Sequence, residues 1–311
     1  MRNRRDVRFR PMGHTLEGRA LMTTTAAVVT TGAPALLAAS WEGGATPLGS
    51  FAPGQTYKGM IGGFYADGSD ESPPELTAAA SQAASRIVPL NARGTPAASG
   101  RIGVVAIGQS TTEQWFSTFA NSARARRGEI RPGVTFINGG QPGKVSVSWA
   151  TEGDTWAELS KRVGRGRLQV QVAFLDTALI YGQKIGGPAE EARVYSGQLS
   201  AIIARAKRLY PNLRLVYAFP FHWAGASAPQ KAVTEPGGYE MQFGIRRVVL
   251  EQSLAEPVVV WGPDVWSQTK DPALYSDGVH WSSAGRAVMT DLTWRFLADD
   301  PEAARWLWRG A

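Results

Sequence analysis

The chain has no cysteine and only three histidines, His14, His222 and His280, among 311 residues. Without cysteine there is no disulfide framework, no thiolate zinc finger and no iron–sulfur cluster. So few histidines also disfavour a metal site built on several of them. Charge is sparse as well: charged residues make up 19% and hydrophobic residues 43%. That balance excludes a disordered polar chain, which needs the opposite composition. The longest uncharged stretch, Ala20 to Trp41, is diluted by Thr23, Thr24, Thr25, Thr30, Thr31, Gly32 and Pro34. Stable membrane insertion is therefore not expected.

What is present is an excess of basic charge, +7 overall, and its location decides its meaning. Arg2, Arg4, Arg5, Arg8, Arg10 and Arg19 against Asp6 and Glu17 put +4 in the first nineteen residues and leave +3 for the rest. No nucleic-acid partner is expected of so mildly basic a remainder. A basic head, a modest apolar stretch and the small-residue end Ala38-Ala39-Ser40 describe an export signal over residues 1–40. The Arg4-Arg5 pair and the Thr-rich stretch lean towards a twin-arginine type, with a general secretory signal as the alternative. The expected location is secreted or associated with the cell envelope.

Residues 41–100 are rich in Gly, Pro, Ser and Ala. They read as an extension packed on the main domain, with Ile87–Leu90 as an edge strand. From residue 101 short apolar runs alternate with amphipathic segments. The runs Ile102–Ile107, Val134–Ile137, Leu168–Leu175, Leu213–Phe219 and Pro257–Trp261 read as strands covered on both faces. Helices are expected near 111–125, 152–163, 189–209, 239–253 and 283–298. This alternation predicts a parallel, doubly wound α/β sheet whose site lies at the carboxyl ends of the strands.

Those ends carry the informative residues. Gly108-Gln109-Ser110-Thr111 follows the first strand and is either a mount for a nucleophilic serine or a helix cap. Asn138-Gly139-Gly140-Gln141 follows the second, as a tight turn or a source of backbone donors. Asp176-Thr177 follows the third, His222 lies beyond the fourth, and Trp266 beyond the fifth. The strongest local signal is Asp277-Gly278-Val279-His280 before the last helix. A histidine takes a serine proton only when its other nitrogen is held in the right tautomer, and an aspartate three residues away can hold it. Trp115, Tyr239, Trp261, Trp266 and Trp281 lie near these motifs and are either sugar-stacking surfaces or core.

G-Q-S, N-G-G-Q and D-G-V-H at these places resemble the SGNH (GDSL-type) hydrolase superfamily. The G-Q-S variant is similar to that of sialate-O-acetylesterase-like carbohydrate esterases. The order of Ile61-Gly62-Gly63-Phe64-Tyr65, Tyr210-Pro211-Asn212-Leu213, Trp261-Gly262-Pro263 and D-G-V-H resembles a group of secreted bacterial SGNH-like proteins, from about residue 60 onward. The resemblance implies a three-layer α/β/α sandwich with a five-stranded, flavodoxin-like parallel sheet over residues 101–311. It implies Ser110 as nucleophile, His280 as general base and Asp277 as its orienting partner. The oxyanion hole would use the N–H groups of Ser110 and Gly140. Gln109, Trp266 and Trp281 would contact substrate. The family's third oxyanion donor is an asparagine after the third strand; this chain has Asp176-Thr177, leaving the Thr177 hydroxyl as the candidate. The implied partner is a small-molecule or glycan ester, and the implied activity is ester hydrolysis that requires no metal or organic cofactor. A glycan-binding protein of weak or no activity is the alternative.

Overall fold

The computed structural model describes residues 47–164, 168–179, 185–220, 238–252, 254–265 and 273–310. The expected export signal, His222 and Trp266 lie outside the described residues. After a short 3-10 turn at Leu48–Ser50 come a two-stranded hairpin, β1 (Thr56–Tyr57) and β2 (Met60–Ile61), and helix α1 (Pro74–Ser85). The main body runs β3 (Ile102–Gly108), α2 (Ser110–Ala125), β4 (Val134–Asn138), α3 (Ser146–Thr151), α4 (Gly153–Val163), β5 (Val170–Asp176) and α5 (Pro188–Leu209). It continues through β6 (Leu215–Ala218), α6 (Gly238–Glu251), β7 (Val258–Trp261), α7 (Ser283–Asp299) and α8 (Pro301–Trp306).

Strands β3 to β7 form one parallel sheet in the order β4-β3-β5-β6-β7. This is the flavodoxin-like order. Every residue of β3, β5, β6 and β7 is buried, as continuous apolar runs require when helices cover both faces. Because the order reverses at β3, right-handed crossovers send α2 to one face and α4, α5 and α6 to the other. Helix α7 returns to pack on α2, while α5 packs on α3 and α6. The reversal opens a crevice between the ends of β3 and β5, the place where such sheets bind ligands.

The region before residue 101 differs from its sequence reading. Ile87–Leu90 is not a strand: Pro89 offers no N–H to a ladder, and only Leu90 bridges, to Pro96 and Arg101. Helix α1 was hidden among prolines and alanines. Pro74 opens it, Glu75 faces the positive end of its dipole, and Leu76, Ala80, Ala83 and Ala84 make a narrow buried stripe. Phe64, Tyr65, Leu76 and Ile87 belong to the same buried cluster as the sheet.

Candidate active site

Gly108 ends β3 directly beside Asp176 of β5, and a Cβ on it would stand 1.8 Å from the Asp176 carbonyl oxygen. The close approach needs glycine. Two residues later Ser110 opens α2, half-buried, at the crevice. Gln109 precedes it in extended conformation and makes no side-chain cap. The first N–H groups of α2 thus keep no intrahelical acceptor, and the positive end of the helix dipole lies at the serine.

The second arm comes from the loop before α7. Tyr275 bridges Trp281, and Ser276 N–H donates to the His280 carbonyl at 2.8 Å, closing a tight turn. Gly278 takes φ +87°, a left-handed conformation that suits glycine. Asp277 Oδ1 accepts the backbone N–H groups of Val279 (3.0 Å) and His280 (2.8 Å). Its Oδ2 lies 2.7 Å from His280 Nδ1. Ser282 caps α7 by accepting from Gly285 N–H at 3.1 Å, fixing the loop to the helix.

The structure brings Ser110 and His280 together across 170 residues: Ser110 Oγ lies 2.9 Å from His280 Nε2. With Asp277 facing Nδ1, the proton sits on Nδ1 and Nε2 accepts from the serine hydroxyl. Burial alone would raise the Asp277 carboxyl. The donors from the His280 side chain and from the backbone of His280 and Val279 outweigh it and hold the group at about 2. Asp277 is therefore a carboxylate throughout the neutral range.

Other expected site residues are placed differently. The Gly140 N–H donates to Asn138 Oδ1 at 2.9 Å, so it is committed within its own turn rather than offered to an oxyanion. That turn is clamped on α2, because Asn138 Nδ2 donates to the Glu113 carbonyl and to Ser117 Oγ, both at 2.8 Å. Thr177 is fully buried; its hydroxyl has no hydrogen-bond partner and no exposed surface to present to a substrate. Gln109 is buried too, its amide donating to Thr111 Oγ1 at 2.8 Å. Trp281 stacks on Tyr275 within the core, and Trp115, Tyr239 and Trp261 are also buried. None of these four is an open platform for a sugar. Their large, rigid rings fill the interior instead.

One constellation escaped sequence reading. Asp176 is 5% exposed, and its Oδ2 accepts from Trp115 Nε1 at 2.7 Å and Thr112 Oγ1 at 2.9 Å. Burial, partly offset by those two donors, pushes its carboxyl up to about 6. Its side chain faces the interior side of α2. Its partners lie more than sixty residues away, so no local motif announces them.

Among the described residues, no helix is long and apolar enough to cross a membrane, and no group of three or more His, Cys, Asp or Glu could hold a metal ion.

Comparison with known proteins finds no matching family model and no matching curated protein. Solved structures do match. One is a lipase/acylhydrolase from Enterococcus faecalis, at 16% identity over 61% of this chain and 92% of that one, TM-score 0.35. A GDSL-like lipase from Bacteroides thetaiotaomicron aligns at 16% identity over 61% and 84%, TM-score 0.38. An alpha/beta hydrolase enzyme from the metagenome of Lake Arreo, Spain, aligns at 14% identity over 67% and 97%, TM-score 0.43. These likenesses are distant.

Proposed function

We propose that this chain is a serine ester hydrolase, with Ser110 as nucleophile, His280 as general base and Asp277 as the group that orients it. One observation carries the reading: the continuous chain from Ser110 Oγ to His280 Nε2 (2.9 Å) and from His280 Nδ1 to Asp277 Oδ2 (2.7 Å). It is assembled at the crevice between β3 and β5.

The chemistry follows from that chain. Ser110 Oγ attacks the ester carbonyl as its proton passes to His280 Nε2. Asp277 stabilises the imidazolium so formed without taking a proton itself. The tetrahedral oxyanion is met by the unpaired N–H groups of the first turn of α2, that of Ser110 foremost. Collapse expels the alkoxide, which takes the proton from His280. Water, deprotonated by His280, then attacks the acyl-enzyme, and the carboxylic acid leaves as Ser110 regains its proton.

Within this reading the substrate is an O-acyl, most simply O-acetyl, ester of a carbohydrate, and the enzyme acts outside the cytoplasm. The substrate follows the G-Q-S resemblance, and the location follows the basic head and small-residue end of residues 1–40. The test is acetate release from acetylated xylan and hydrolysis of p-nitrophenyl acetate. Both should be present in the wild type and lost in Ser110→Ala and His280→Ala.

A second reading is a glycan-binding protein of weak or no activity. The committed Gly140 N–H and the buried Thr177 hydroxyl favour it, since they leave α2 as the source of oxyanion donors. Retention on acetylated glycan, unchanged in both variants and without acetate release, would select it.

A further inference from the structure

Asp176 is a buried carboxylate that the proposed reaction does not use. No cation lies within ion-pair distance of it among the described residues. The other titratable group that senses it is Tyr195 of α5, pushed up by burial and by the Asp176 charge, with its hydroxyl donating to the Thr177 carbonyl at 2.6 Å. Burying an uncompensated carboxylate is costly, and a neutral amide of the same shape would avoid most of the cost. The carboxylate is nevertheless placed where it grips one element, the helix that carries Ser110.

The grip is specific. Thr112 Oγ1 sits between the Asp176 carbonyl oxygen (2.5 Å) and Oδ2 (2.9 Å), so its single proton serves both. Trp115, fully buried and stacked on Phe219 at 5.3 Å, donates to the same Oδ2. Thr112 and Trp115 are two and five residues beyond Ser110. The first turn of a helix lacks half of its hydrogen bonds, and Gln109 supplies no cap to this one.

We propose that Asp176 is a positioning residue for Ser110: by accepting from Thr112 and Trp115 it fixes the start of α2 to the end of β5 and so sets the distance from Ser110 to His280. It acts as an acceptor, not as a charge. The inference rests on Ser110 being the nucleophile.

The test measures p-nitrophenyl acetate kinetics and the rate of fluorophosphonate labelling on the full chain, with folding checked by circular dichroism. Misplacement of a reacting group by about 1 Å costs up to about 100-fold. Asp176→Ala should therefore lower kcat and the labelling rate about 10- to 100-fold while KM stays within about twofold. Asp176→Asn keeps an acceptor oxygen and should stay within about threefold of wild type. Thr112→Val keeps volume and loses the hydroxyl. It should slow labelling several-fold, and adding it to Asp176→Ala should cost nothing more, since the two residues act as one unit.

Wild-type labelling by folded Asp176→Ala would overturn the proposal. So would a loss in Asp176→Asn as deep as in Asp176→Ala, or a KM that rises with kcat unchanged. If Asp176→Ala does not fold, Thr112→Val decides, and an unchanged rate there overturns it. Failure of the nucleophile assignment looks different: the wild type itself would neither label nor hydrolyse.

Discussion

Three side chains from two distant segments meet in one hydrogen-bonded series, Ser110 Oγ to His280 Nε2 and His280 Nδ1 to Asp277 Oδ2. Ser110 was legible as a serine on a strand-to-helix turn, and Asp277 and His280 as a pair three apart. Asp277→Asn tests the tautomer argument: its amide would offer a donor to Nδ1 and leave a proton on Nε2. The substitution should lower kcat about 10³- to 10⁴-fold with folding intact, measured on p-nitrophenyl acetate. The role of Asp176 was not legible, because its partners are fixed by packing rather than by spacing. Its pH linkage gives a second prediction. Its carboxyl is raised to about 6 by burial. Between pH 4 and 6 the folded chain therefore holds a proton that the unfolded chain has released, and stability falls as pH rises through that window. Asp176→Asn should be more stable than wild type at pH 8, by about 1–3 kcal/mol, with the gap closing near pH 4. Denaturant midpoints at the two pH values decide it; an equal difference at both would contradict the linkage.

At the scale of elements, β3, β5, β6 and β7 were readable because each is an apolar run buried along its whole length; β4, at the edge of the sheet, is only half-buried rather than covered on both faces as expected. Helices α2 and α5 were readable because their apolar stripes are long. The hairpin and α8 were not, since two-residue strands and a six-residue helix leave too short a pattern. The turn after β4 shows why a glycine motif underdetermines its role. Gly140 was expected to offer its N–H, but Asn138, two residues upstream, takes it. What the glycine provides instead is closeness: a Cβ there would stand 2.4 Å from the backbone nitrogen of Glu113 on α2. Gly140→Ala must therefore displace the turn or the helix start, and labelling should slow at least about tenfold. Gly128→Ala, where a Cβ meets nothing within 4 Å, should leave the rate unchanged. Equal rates in the two variants would show that α2 does not depend on this turn.

At the scale of the molecule, residues 57–100 complete the fold rather than decorate it. Arg246 Nη1 of α6 donates to the Ile61 carbonyl at 2.7 Å, Trp261 Nε1 to the Phe64 carbonyl at 3.2 Å, and Tyr57 hydroxyl to Glu240 Oε1 at 2.9 Å. A chain starting at Arg101 should not fold, as read by circular dichroism and a thermal melt. A folded, active chain from Arg101 would contradict the shared core. The central claim concerns Ser110, and active-site labelling tests it most directly. The intact, folded protein incubated with a fluorophosphonate probe should gain one covalent label per chain by mass spectrometry, located on Ser110 and absent from Ser110→Ala. A folded wild type that takes no label, or a label that persists in Ser110→Ala, would contradict the account.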